Sequence, residues 1–355
     1  MNFTISSSPQ TPRRRIDLDV IRVSAILLVV ANHAVESIFP FVYSGGDTSL
    51  FCKMPLLHQV FQFCVFTIGR MGVPLFLMLT GYLFLHRNYE TVRSWMVFYR
   101  RNLIGLLLVW LLWILIFNIF FLVKDQTPMN WHDIVLECLL MKRVPIGHAW
   151  FMEEILFIYM IIPLLSYIAK RVKPLWIILS LILFLEFINN NLIGIPFVYQ
   201  YPTRFICINY VLMGYVIYSR ALSISNRLSV IMFFVLTIAI IYWQISMYKV
   251  STPDNLWYTN IFLFVASSLL FGLIQDASKN VKHEKLIRVL AISSFGVYLV
   301  HYPIMKLMIE NLTFLNSPSV TNVMCLFVLT YVLSIIFIYS LSKNKMLAKV
   351  LFYIR

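Results

Sequence analysis

Residues 15–39 read RIDLDVIRVSAILLVVANHAVESIF. The stretch is apolar and long enough to cross a bilayer, which asks for roughly 20 residues of helix. It nevertheless carries Asp19, Arg22, His33 and Glu36. Arg22 and His33 are eleven residues apart, three helical turns plus about 20°. Asp19 stands three before Arg22, and Glu36 three after His33, so all four share one stripe. An ionisable group inside a span costs roughly 2.5–3.5 kcal/mol on insertion scales, so the stripe must face protein or water rather than lipid. The sequence therefore predicts a first membrane helix whose polar seam is covered by others.

The rest of the chain agrees. Of 355 residues, 60% are hydrophobic and 12% charged, and the mean hydropathy is +0.82. Soluble domains hold roughly 45–50% apolar and about 25% charged residues. That excludes a soluble enzyme, a DNA-binding domain and a disordered chain. Ten apolar runs stand out, at 18–39, 69–85, 103–123, 150–168, 175–192, 204–219, 228–247, 256–274, 289–309 and 322–341. Residues 55–66 read as an interfacial helix leading into the second span. There Pro74 is expected to kink the chain, while Gly69 and Gly72 allow close packing. The expectation is an all-α membrane protein with about ten transmembrane helices. It forms a single domain over 1–355, with cytoplasmic tails at 1–15 and 343–355. Asp19 and Arg22 interrupt the first apolar run, and no small-residue cleavage site follows it, so it reads as an uncleaved helix.

Charge sets the orientation. Lys and Arg number 29 against 15 Asp and Glu, a net charge of +14. With the N-terminus inside, twenty basic residues fall in inside segments and five (Lys53, Lys124, Lys142, Arg143, Lys249) outside. Arg22, Arg70, Arg204 and Lys306 fall within spans. This asymmetry places both termini in the cytoplasm and accounts for the positive excess without nucleic acid. Trp131, Trp150, Tyr199, Tyr201, Trp257 and Tyr258 fall near the outer boundary as an aromatic belt. Cys52, Cys64, Cys138, Cys207 and Cys325 form no Cys-x-x-Cys pair and no zinc spacing, so no metal is expected. Cys52 and Cys138 either bridge in outside loops or pack as the others do.

Each buried polar residue has a bland reading beside a functional one. Asp19 and Arg22 fit an i,i+3 ion pair near the inner boundary. His33 lies about 22 Å into its span, with Glu36 placed to orient its imidazole, unless it is a packing histidine. His301 reaches a similar depth in the ninth span, one turn after Tyr298 and just before Pro303. Glu153 and Glu154 open the fourth span, after Gly147-His148-Ala149-Trp150-Phe151; complementing the helix dipole is their simple reading. Arg70 begins the second span at its outer end, where snorkelling would explain it. Glu186 and Lys306 have no evident partner.

Several of these pieces occur together in one family. Arg22, ten residues, then His33, preceded by Arg15-Ile16-Asp17-Leu18-Asp19, resembles the opening of the acyltransferase-3 family of integral membrane acyltransferases. Gly69-Arg70-Met71-Gly72-Val73-Pro74-Leu75-Phe76 with Thr80-Gly81-Tyr82-Leu83 resembles its second helix. Trp150-Phe151 with Tyr159 and Pro163 resembles its fourth, and Phe295-Gly296-Val297-Tyr298-Leu299-Val300-His301 its penultimate one. The sequence departs from the family's Arg-x-x-Arg run: Arg100 and Arg101 stand together, Ile104 follows three later, and no Pro comes after.

The resemblance implies a multi-pass protein of the bacterial inner (cell) membrane. It would move an acyl group, usually acetyl, from cytoplasmic acyl-CoA to a sugar hydroxyl. Family acceptors are surface glycans such as lipopolysaccharide O-antigen, or polyprenyl-linked precursors. No permanently bound cofactor is implied, acetyl-CoA being a substrate; the remaining partner is membrane lipid. Some members carry an extracytoplasmic esterase-like domain; none is expected within these residues. Joined to the topology, Arg93, Arg100 and Arg101 would bind the donor's phosphates, and Arg22, paired with Asp19, would guide the thioester inward. His33 would act as general base or as nucleophile, oriented by Glu36. His301 or Arg70 would stabilise the oxyanion. Trp150, Glu153, Glu154 and Tyr298 would surround the acceptor. The rival reading is a polysaccharide exporter or proton-coupled transporter, since buried acids and bases also mark proton relays. Against it, the chain shows no paired halves.

Overall fold

The polar stripe of residues 15–39 forms one continuous helix, α1 (Ile16–Ile38). In this computed structural model, residues 15–39, 48–187, 202–221, 224–249 and 256–354 are described. The chain continues through α2 (Thr48–Lys53), α3 (Leu56–Arg70), α4 (Gly72–Phe84), α5 (Val92–Phe98) and α6 (Ile104–Asp125), the last two joined by a π-helical turn (Tyr99–Leu103). Next come α7 (Trp131–Cys138), α8 (Trp150–Ala169), α9 (Pro174–Phe187), α10 (Pro202–Tyr218), α11 (Asn226–Lys249) and α12 (Ile261–Ala277). The last three are α13 (Glu284–Asn311), α14 (Val320–Ser342) and α15 (Lys345–Phe352). The described residues contain no strand.

Among the described residues, seven stretches are long and apolar enough to cross a membrane: Ile16–Ile38, Leu56–Phe84, Val92–Asp125, Trp150–Ala169, Asn226–Lys249, Glu284–Asn311 and Val320–Ser342. Three shorter apolar helices, Pro174–Phe184, Ile206–Tyr218 and Ile261–Ala277, fall where the sequence predicts the fifth, sixth and eighth spans. Burial sorts them. In an 18-residue apolar window of each, 78% of the α3–α4 stretch is buried and only 22% of α11, so the former is core and the latter presents most of its surface outward. Helix α1 is covered by α3, α4, α12, α13 and α14, which is the cover its polar stripe requires.

The second span differs from the expectation. Residues 55–66 do not stand apart as a separate lead-in; Leu56–Phe84, α3 with α4, is one 29-residue stretch long and apolar enough to cross a membrane. The two helices part at Met71, and Pro74 is the reason. Proline lacks an N–H and its ring crowds the carbonyl four residues back, here that of Arg70. Small residues then let backbones meet. A Cβ on Gly69 would lie 2.9 Å from the Asn32 Cβ, and one on Gly72 2.7 Å from the Ala25 carbonyl oxygen. At the α4–α10 crossing, a Cβ on Gly81 would lie 1.7 Å from the Val211 oxygen, and one on Gly214 1.9 Å from the Met78 oxygen. Each glycine receives the other helix's main chain.

Polar ties mark one end of the bundle. Arg15 donates to the Tyr82 hydroxyl at 2.7 Å, and Gln275 to Asp17 at 3.0 Å. Lys170 donates to the Arg87 carbonyl and to Asn88. Residues 343–355 are more than a tail. They contain α15, which buries Ala348 and Phe352 and accepts the Trp113 indole N–H at the Leu351 carbonyl, 2.7 Å. Tyr353 donates to the Arg101 carbonyl at 2.8 Å. All five cysteines are free, so no Cys52–Cys138 bridge forms. Arg13, Arg14, Tyr199 and Tyr201 lie outside the described residues, as do the side chains of Glu186 and Arg204.

Candidate active site

The basic end holds a groove of about 400 Å³. Its cations are Arg87, Arg93 and Arg101, and its neutral polar groups are Asn88, Tyr89, Thr91, Ser94 and Asn102. Local structure builds it. Thr91 and Ser94 cap α5 reciprocally. Ser166 Oγ lies 2.9 Å from the carbonyls of both Leu85 and Arg87, pinning the turn before them. Burial pushes the Tyr89 phenol up to about 12, so it meets the groove as a neutral hydroxyl. Arg100 and Arg101 share the π-helical turn, but adjacent helical residues diverge by about 100°. Only Arg101 of the two lines the groove, while Arg87, which the sequence marks merely as an inside charge, joins it.

From there the α1 stripe leads inward. Arg22 Nη1 lies 3.0 Å from Asp19 Oδ1, so the expected i,i+3 pair is formed, with the carboxylate buried. Tyr159 of α8 lies within electrostatic reach of both Arg22 and Arg87 and packs on Phe84 and Phe98. It thus stands between groove and stripe.

Further along α1, His33 Nδ1 is 2.8 Å from Glu36 Oε2. A carboxylate only accepts, so Nδ1 carries a proton; in the neutral ring Nε2 then keeps its lone pair. The other Glu36 oxygen is 3.4 Å from Arg70 Nη2. Arg70 does not snorkel. Its side chain is 5% exposed, lies over the rings of Phe66, Trp257 and Tyr258, and donates to the Tyr258 hydroxyl at 3.4 Å. It sits at the α3–α4 break in the middle of its span, where lipid-facing exit is closed and aromatic faces attract the cation.

His33 and Arg70 line a cavity of about 20 Å³ together with Asn32, His148, Trp150, Phe151, Tyr258 and Tyr298. That is room for about one water. His33 and His301 each stand seventeen residues into a helix that starts at the basic end, about 26 Å along it. This equal register brings their rings to 5.4 Å. His301 backs the cavity rather than lining it. Its Nδ1 lies 3.0 Å and 2.8 Å from the Val297 and Tyr298 carbonyls.

Not every expected residue converges. Glu153 is buried within electrostatic reach of Tyr298, and Glu154 of Cys207; neither lines the cavity. Lys306 has a partner after all, Asp125 at 4.0 Å, in a surface cluster with Lys124 and Glu310. Sequence reasoning misses His148, Asn32 and the site role of Tyr258. The available signal for His148 is its place two residues before Trp150-Phe151. Among the described residues no group of three or more His, Cys, Asp or Glu side chains could hold a metal ion.

The class these features define is a polytopic helical membrane protein with a buried His–carboxylate–Arg centre joined by a polar helix to a cationic groove. The comparison with known families is specific: the acyltransferase-3 family model, described as an acyltransferase domain, matches residues 15–339. The chain belongs to that family, and so to the membrane acyltransferases. No curated protein and no solved structure matches it.

Proposed function

We propose that this acyltransferase moves an acetyl group from cytoplasmic acetyl-CoA to a sugar hydroxyl of a surface glycan or its polyprenyl-linked precursor, at the bacterial inner membrane. The observation that carries the reading is His33. Its Nδ1 is paired with Glu36 and its side chain lines an interior cavity, remote along the bundle from a groove with three arginines. The basic end faces the cytoplasm, as the charge asymmetry requires. Arg87, Arg93 and Arg101 hold the donor's phosphates, and the acyl arm passes Tyr159 and Arg22 toward His33.

His33 Nε2 takes the proton of the sugar hydroxyl as its oxygen attacks the thioester carbonyl. Arg70, desolvated beside the cavity, stabilises the oxyanion. As the tetrahedral intermediate collapses, the C–S bond breaks and the His33 imidazolium returns its proton to the leaving thiolate. Glu36 holds the ring and balances the imidazolium charge, the role of the carboxylate in a catalytic triad. Trp150 and Tyr298 face the acceptor, with Glu153 and Glu154 behind them.

The test is transfer of radiolabel from [14C]acetyl-CoA to the glycolipids of inside-out membrane vesicles. Incorporation that His33→Ala abolishes, at equal protein level, is expected. Vesicles that move glycan across the membrane without acquiring label overturn the reading in favour of transport.

A further inference from the structure

Arg101 enters the arginine groove from a π-helical turn. In that turn the Ile104 N–H reaches back to the Tyr99 carbonyl, five residues rather than the four of an α-helix. Turns of this kind are rare and concentrate at functional sites. Losing the turn slips one flanking helix by one residue against the other, a rotation of about 100°. Arg101 and Asn102 lie in the turn and line the groove, so such a slip swings their side chains away from it. Whatever fixes the turn therefore fixes the groove.

Two side chains tie it to other helices. On one side the Tyr99 hydroxyl donates to the Met160 carbonyl of α8 at 2.7 Å. On the other stands Tyr353, the residue after α15. Its hydroxyl donates to the Arg101 carbonyl at 2.8 Å. Its ring lies against the first turn of α6: a Cβ on Gly105 would sit 2.3 Å from Tyr353 Cε2 and 3.1 Å from its hydroxyl oxygen. Tyr353 is itself anchored. Phe352 is buried and packs on Trp113 of α6 and Phe337 of α14, at 6.3 and 6.4 Å, and the Trp113 indole donates to the Leu351 carbonyl. The backbone at Tyr353 is left-handed, with φ 53°, at a position where helices commonly end on glycine. A tyrosine meets a steric penalty there that glycine does not, and the contacts to Gly105 and Arg101 are what its side chain adds. Tyr159, between groove and α1 stripe, is within electrostatic reach of Tyr353 as well.

We propose that Tyr353 is a positioning residue for acyl-CoA binding: by holding the main chain of the π-helical turn, it keeps Arg101 aimed into the groove at the phosphates. It touches no substrate and acts only through the Arg101 backbone and the Gly105 face of α6. The proposal rests on the reading of the groove as the acyl-CoA site and deepens it, since the segment after α14 then sets the affinity for the acyl donor.

The experiment uses the full chain in lipid nanodiscs, [14C]acetyl-CoA, and the glycolipid extract of the host's own membranes as acceptor. Tyr353→Phe removes the hydroxyl and keeps the ring. It is expected to raise the acetyl-CoA KM about fivefold, the scale of one lost hydrogen bond, with kcat and the KM for the extract unmoved. Gly105→Ala, whose methyl displaces the ring, is expected to raise the same KM and decides the question if Tyr353→Phe does not accumulate. Because Tyr353 acts through Arg101, its effect is expected to vanish without that side chain. The double variant Arg101→Ala/Tyr353→Phe should match the acetyl-CoA KM of Arg101→Ala within about twofold. A merely structural role predicts a lower kcat and a further rise of about fivefold in the double variant, the additive result of independent sites. Transfer by the wild type with an acetyl-CoA KM unchanged in Tyr353→Phe overturns the proposal alone, as does that additive result. A wild type that transfers no label overturns the acyl-transfer reading and this proposal with it.

Discussion

The molecule keeps two very different cavities. The groove between α4 and α6 is open, about 400 Å³, and edged by three arginines. The cavity at His33 is about 20 Å³ and walled by aromatic rings, two imidazoles and one guanidinium. In the first, charges face water and are screened over about 8–10 Å, an environment that would suit a polyanion without tight geometry. In the second, a low dielectric makes every misplaced charge costly and every aligned hydrogen bond valuable. The helix that reaches both is α8, whose Tyr159 packs on Phe98 of the groove while Trp150 and Phe151 line the cavity.

The contrast can be broken at either end. Its largest expected effect is at the dry end: His33→Ala lowers transfer by about 10²–10⁴-fold, the worth of a general base, without shifting the thermal unfolding midpoint; residual activity within about tenfold of wild type would move the chemistry elsewhere. Glu36→Gln follows, lowering kcat by at least about tenfold through loss of a charge-assisted hydrogen bond, with the acetyl-CoA KM unmoved. At the shared scaffold, Gly81→Ala is expected to lower the unfolding midpoint by several degrees, because the added methyl meets the Val211 main chain and overpacking costs about 1–3 kcal/mol. At the wet end Arg101→Ala, read in steady-state kinetics, raises the acetyl-CoA KM by roughly three- to tenfold, with an effect that shrinks as salt rises. The smallest effect sharpens the comparison most. Arg100→Ala is expected to change that KM by less than about twofold, since Arg100 does not line the groove; an effect equal to that of Arg101→Ala would redraw it.

Much of the site is legible in the order of the residues. The Asp19–Arg22 and His33–Glu36 pairs follow from helix spacing alone, and both form. The close approaches at Gly69 and Gly72 follow from residue size, and the effect of Pro74 from its missing N–H. Legibility fails where a residue's meaning depends on another helix. Arg70 looks like the start of a span because the apolar run before it contains Gln59 and Gln62; both are buried, which hydropathy cannot foresee. Arg100 and Arg101 look equivalent as neighbours, whereas a π-helical turn sends only one into the groove. His148 carries no periodicity because it precedes its helix.

What the sequence by itself determined is everything that one helix can state: that the chain belongs in lipid, that α1 bears a charged face, and that this face needs cover. Those are consequences of composition and of a 100° step per residue, both local. Only the tertiary structure decided which groups provide the cover. Lipid exerts no hydrophobic pull between helices, so partners are chosen by how closely backbones can approach, as at Gly81 and Gly214. Those contacts bring Arg70, His148 and His301 to His33 from elements far apart in the chain.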